Sequence, residues 1–218
     1  GFFATAMVFR LPEPAETKKA VGLKLFSNLI EAMRRTSFVT FILLLGVSFF
    51  SIFMVQPFLI VFMKEVYALG DNTVVYFTVI GSVGAIVMAL LSGFMIDRLG
   101  AKPLIFIYAA IMSAMLLFLI VSPHPEHPRM LWIYGGITFF LFMMGYTGIA
   151  NGCNTYFFGL ITVEERLNLG IFYFIATGLS GFLGSLSGGA IVEALLALNI
   201  PPMESFRIYF CIPVCLFI

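Results

Sequence analysis

Thr147, Asn151, Asn154 and Thr155 set two carboxamides and two hydroxyls in an otherwise apolar stretch. Their steps of four, three and one place them on one face of a helix. Tyr146 and Tyr156 flank the set, and Gly145, Gly148 and Gly152 lie beside it, offering a helix that can bend or bare its carbonyls. Amides surrounded by hydrocarbon need a partner or a water-filled space, so this face either lines a polar path or bonds to a neighbouring helix. Tyr173 and Thr177, four residues apart, are weaker candidates of the same kind. Gln56 precedes Pro57, which removes a backbone hydrogen bond and predicts a kink, either inert or part of an outer gate.

Charged chemistry is sparse. No Asp, Glu, Lys, Arg or His falls in the middle of a long apolar run, where each would cost about 2.5 to 3.5 kcal/mol. Glu193 comes nearest, and it reads either as an interfacial residue reaching for water or as a coupling or gating carboxylate. His124 and His127 in Ser-Pro-His-Pro-Glu-His-Pro-Arg are rejected as a metal pair, because the prolines disfavour the helix that sets such spacing and no further ligands follow. Cys153, Cys211 and Cys215 lie in apolar runs and read as small buried hydrophobes. Glu164, Glu165 and Arg166 read as a solvated helix cap, with a gating contact as the lesser alternative. No nucleophile with a base and no metal set is present, so no enzyme, cofactor or metal is expected.

The elements that position these groups are set by composition. With 61% hydrophobic residues, only 11% charged against about 25% in a soluble domain, and a mean hydropathy of +1.07, the chain is expected to be an all-α polytopic membrane protein in contact with lipid. Runs long enough to cross a bilayer as helices lie at Phe38 to Met63, Val74 to Ile96, Leu104 to Val121, Met130 to Val163 and Leu167 to Val192. Alternate loops divide the basic residues nine to three. Arg10, Lys18, Lys19, Lys24, Arg34, Arg35, Arg98, Lys102 and Arg166 fall on one side, Lys64, Arg129 and Arg207 on the other, which puts the first set in the cytoplasm. A net charge of +1, with the basic residues distributed by topology, leaves no face for nucleic acid. Within 10–37, Val21, Leu25, Leu29 and Met33, with Phe26 and Ile30 beside them, predict an amphipathic surface helix.

Between the second and third runs stands Gly-Phe-Met-Ile-Asp-Arg-Leu-Gly-Ala-Lys, residues 93–102. The pattern Gly93, Asp97, Arg98, Gly100, Lys102 in a short loop between membrane helices resembles the signature loop of the major facilitator superfamily of solute carriers. The resemblance implies the C-terminal bundle of a 12-helix transporter: residues 1–9 end helix six, 10–37 form the central cytoplasmic loop, and 38–218 hold helices seven to eleven and the start of twelve. It also implies secondary transport of a small organic solute by alternating access, an N-terminal six-helix half as partner, and a multi-pass place in a bacterial inner (plasma) membrane. Asp97 and Arg98 would clamp a helix end or a neighbouring charge in one conformation, and Gly100 would permit the turn that Lys102 closes. Pro103 stands where a second basic residue is common, which weakens the expected charge network but not the turn. A first residue other than Met and a last run, Ile208 to Ile218, that stops while still apolar suggest a piece of a longer protein.

Small residues recur on two runs. Gly81, Ala85, Ala89 and Gly93 step by four, and Ser180, Gly184 and Gly188 do the same, with Gly178, Gly181 and Gly189 nearby. Such ladders serve either static packing within a bundle or surfaces that slide against another half. A non-transporting receptor or scaffold on the same architecture is the alternative function. The face around Asn151 and Asn154 separates the two, since a carrier needs it solvated and a scaffold needs it only for stability.

Overall fold

A computed structural model describes residues 25–121 and 128–217. Residues 1–24 and the loop bearing His124 and His127 lie outside the described residues, as does Val21 of the predicted surface helix. The described residues form helices α1 (Leu25–Met33), α2 (Thr36–Tyr67), α3 (Asp71–Leu99), α4 (Ala101–Val121), α5 (Pro128–Leu160), α6 (Arg166–Ala197) and α7 (Pro202–Phe217). Five of them, α2 to α6, are long and apolar enough to cross a membrane, one for each predicted run.

Long helices follow from the need to satisfy every backbone N–H and C=O within the segment when no water is at hand. Their ends are set by conformations that cannot continue a helix. Ala68 closes α2 in the left-handed region at φ 51°, and Gly100 closes α3 at φ 83° with its N–H on the Ile96 carbonyl at 2.9 Å. The turn expected of Gly100 is therefore present. Pro57 does not end α2, which runs through it.

Packing pairs α3 with α5 and α2 with α6, while α5 also meets α4, and α7 lies against α4 and α2. Glycines set these contacts. On α3 the buried stripe is Val74, Phe77, Gly81, Gly84, Met88 and Ser92. A Cβ at Gly84 would come within 2.5 Å of the Phe140 carbonyl oxygen, so the two backbones touch. On α5, Gly145, Gly148 and Gly152 receive Met112, Tyr108 and Ile105 of α4. These glycines are holes for a neighbour's side chains, and α5 is helical throughout, so the expected loosening at Gly148 and Gly152 is not seen. On α6, Gly181 lies on the Phe53 ring, Gly184 against the Phe50 carbonyl, and Gly188 against Phe58 and Tyr209.

The predicted ladders are thus divided between two surroundings. Gly81, Gly184 and Gly188 are buried inside the bundle, while Ala89, Gly93 and Gly178 are exposed, and a Cβ at Gly93 or Gly178 would meet nothing within 4 Å. The core between the helices is largely aromatic, with Phe62 ringed by Tyr67, Phe206 and Phe210 at 5.3 to 5.5 Å between centroids. Cys153 is buried as expected, whereas Cys211 and Cys215 are exposed on α7. Along α1, Ala32 is fully buried and Leu29 half-buried, but Ile30 and Met33 of the predicted stripe are exposed.

Gly84→Val is expected to destabilise the solubilised protein by about 1–3 kcal/mol, because a backbone oxygen cannot move aside, while Gly93→Ala changes stability by no more than about 0.5 kcal/mol. Thermal melting in detergent checks both.

Candidate functional site

Three membrane helices line an open-sided cavity of about 390 Å³. α2 contributes Phe49 and Phe53, α5 contributes Tyr146, Ala150, Asn151 and Asn154, and α6 contributes Tyr173, Phe174, Thr177 and Gly178. Tyr146, Asn151, Asn154, Tyr173 and Thr177, read from the sequence as pathway residues on two separate runs, are brought to one wall system. Thr147, Thr155 and Gln56 do not line it. Thr155 sits half a helical turn from Tyr146, at about 100° per residue, and is exposed. Thr147 is half-buried in α5. Gln56 lies one turn beyond Phe53, and its Oε1 is buried with no hydrogen-bond partner among the described residues.

The polar groups of the cavity are in different states. Asn151 donates from Nδ2 to Ser92 Oγ at 2.8 Å, and Ser92 in turn donates to the Ala89 carbonyl at 3.0 Å. One half of that amide therefore ties α5 to α3. The Thr177 hydroxyl donates to the Phe174 carbonyl of its own helix at 3.0 Å, and the residue lines the cavity. Asn154 is exposed on the wall. Five rings supply the apolar surface. Phe49 and Phe53 meet Tyr146 edge-on, at 6.5 and 6.2 Å, and Tyr173 stacks parallel to Phe41 behind the wall. Among the described residues, no charged side chain lines the cavity. Sequence reading missed Phe49, Phe53 and Phe174 because 26 phenylalanines hide any three, and missed Ser92 because its partner is 59 residues away.

The signature loop follows at the C-terminal end of α3, its first residue, Gly93, next to Ser92. Arg98 lies over the Phe94 ring at 4.1 Å, one turn back on its own helix, and Lys102 lies over the Tyr156 ring at 5.2 Å. Asp97 is exposed, and among the described residues neither Asp97 nor Arg98 makes an ion pair. The clamp expected of them has no counterpart within the bundle. Glu193 is exposed near the C-terminal end of α6.

A different ion pair holds this side together. Arg35, which precedes α2, donates to both carboxylate oxygens of Glu165, at 2.7 and 3.2 Å, and Glu165 also accepts from the Thr162 N–H at 3.0 Å. Glu165 is buried, not the solvated cap expected of it. The Arg35 bonds, then the Thr162 N–H, hold its carboxyl below the usual glutamate range.

The chain belongs to the Major Facilitator Superfamily, whose family model matches residues 1–214. It is an integral, multi-pass membrane protein of a transporter family. No curated protein and no solved structure matches it.

Two measurements test these bonds. Ser92→Ala is expected to lower stability by about 0.5–1.5 kcal/mol, while Asn154→Ala leaves the melting temperature unchanged. Because the Glu165 carboxyl is depressed when folded, its pairing stabilises fully above the ordinary glutamate pKa of about 4.3 and is lost as pH falls through the lower folded value. Glu165→Gln should therefore melt about 2–4 °C below wild type at pH 7 and converge on it in acid.

Proposed function

We propose that this chain is the C-terminal half of a secondary active transporter that moves a small organic solute by alternating access. The observation that carries the reading is the cavity itself, shared by α2, α5 and α6 and walled by five rings and neutral polar groups. Apolar walls with a few convergent polar groups are what a solute site needs, since rings bury the carbon face of a ligand and amides orient it. A lining that is uncharged among the described residues favours a neutral or zwitterionic solute with one apolar face. Asn154 and the Oδ1 of Asn151 are its hydrogen-bonding groups in this half, with Thr177 and the Tyr146 hydroxyl beside them.

The partner is an N-terminal six-helix half. In support, α3 and α6 are the least covered membrane helices, with 28% and 22% of their most apolar windows buried against 44–50% for α2, α4 and α5. They carry exposed small residues, Ala89 with Gly93 at the end of the α3 ladder and Gly178 beside the α6 ladder. Alternating access requires two bodies that rock against each other, and small side chains let such surfaces approach closely. Asp97 is free to pair across that boundary in one conformation, with Gly93, Arg98, Gly100 and Lys102 shaping the loop that presents it. Glu193 is a candidate for ion coupling, and Gln56, beyond the cavity on α2, a candidate for the outer part of the path. The excess of basic residues supports a cytoplasmic side for α1 and the signature loop, with a bacterial inner membrane as the proposed setting.

Uptake of a panel of radiolabelled sugars, amino acids and nucleosides by the full-length protein in liposomes, with and without a proton gradient, tests the reading. Asn154→Ala should raise KM about 3–10-fold for a transported solute, and Asp97→Asn should lower Vmax with KM unchanged. Uptake of no solute by folded protein, or uptake indifferent to both changes, sinks it in favour of a receptor or scaffold.

A further inference from the structure

Pro57 leaves one carbonyl of α2 without its helical donor. An α-helical N–H at residue 57 would bond to the carbonyl of Phe53, four residues back, and proline has no N–H. A bare carbonyl inside a membrane protein is costly unless a side chain or water meets it. The structure supplies the side chain: Ser185 Oγ on α6 donates to the Phe53 carbonyl at 3.1 Å, across 132 residues of chain. Thr177 and Ser187 of the same helix instead turn back to carbonyls of α6, at 3.0 and 2.7 Å.

The bond joins two walls of the same cavity. Phe53 lines it from α2, and Tyr173, Phe174, Thr177 and Gly178 line it from α6. Around the bond the helices are in backbone contact. Gly181 lies on the Phe53 ring, with its Cβ position 3.0 Å from that ring, Gly184 meets the Phe50 carbonyl, and on the next turn Tyr209 of α7 donates to the Met54 carbonyl. The donors to the Phe53 and Met54 carbonyls, Ser185 of α6 and Tyr209 of α7, come from neighbouring helices, and Ser185 with the contacts at Gly181 and Gly184 ties α2 to α6 beside the proline.

The geometry points to Ser185 as a positioning residue of the cavity: its hydroxyl takes the place of the hydrogen bond that Pro57 abolishes and thereby sets how far the α2 wall stands from the α6 wall. The proposal rests on the cavity described above, and its test does not need a transported solute, so it can fail while the transport reading stands, or the reverse.

The test uses the full-length protein in membrane vesicles, with native cysteines replaced by alanine and one cysteine introduced as Thr177→Cys on the α6 wall. The readout is its rate of reaction with N-ethylmaleimide. Ser185→Ala should change the rate at least about threefold when Pro57 is present. In a Pro57→Ala background the residue-57 N–H takes over the Phe53 carbonyl, and the same substitution should change the rate by less than about 1.5-fold. Ser187→Ala, whose hydroxyl bonds within α6, should change nothing in either background. Pro57→Leu restores the same N–H if the alanine variant folds poorly, and melting temperatures of the same four proteins give the cycle a second time without labelling. A Ser185→Ala effect of equal size with and without Pro57, or none with Pro57 present, overturns the proposal.

Discussion

Close backbone contact at glycine holds this bundle together. Lipid tails are as apolar as the side chains, so helices gain little by hiding leucine from hydrocarbon and must gain by touching over large, well-fitted areas. Gly84 against the Phe140 carbonyl and Gly184 against the Phe50 carbonyl bring α3 to α5 and α2 to α6 at backbone distance. Gly145, Gly148 and Gly152 do the reverse for α4, opening sockets for Met112, Tyr108 and Ile105. Dispersion over these surfaces, small for each atom pair, adds up because no gap is left.

With the helices this near, the cavity is the place where they part. Its walls are large rings and its polar groups are few, and those groups are already shared between holding the bundle and facing the space. Asn151 serves both purposes, bonding Ser92 through Nδ2 while lining the cavity. Strength and solvation pull on the same side chain, which is why the less constrained Asn154 is the sharper probe of binding.

Polar bonds between helices are few and each has a local cause. Ser185 answers a proline and Ser92 answers an amide. Arg35 answers Glu165 at the membrane edge, where water lowers the desolvation penalty that a buried ion pair would carry. The Arg35 pair also ties the start of α2 to the turn before α6, so the helices joined by glycines along their length are joined again at their ends.

The sequence by itself determined the class, the five membrane helices and the turn at Gly100, because hydropathy and the left-handed conformation are properties of short stretches and need no neighbour to be read. It also marked Tyr146, Asn151, Asn154, Tyr173 and Thr177 as polar groups out of place in lipid. Which of them face one space was decided only by tertiary packing, as Thr147 and Thr155 show: they share composition and spacing with the others and fall outside it. Phe49, Phe53 and Phe174 had no local signal at all, being three rings among many. The division of the glycine ladders, Gly81 inward and Gly93 outward, was likewise set by where α5 crosses α3, and the partners Ser92, Ser185 and Arg35 were legible only once the fold had brought together residues 59, 132 and 130 positions apart. Periodicity along one helix reports which residues share a side; what lies on that side is a property of the neighbouring helix.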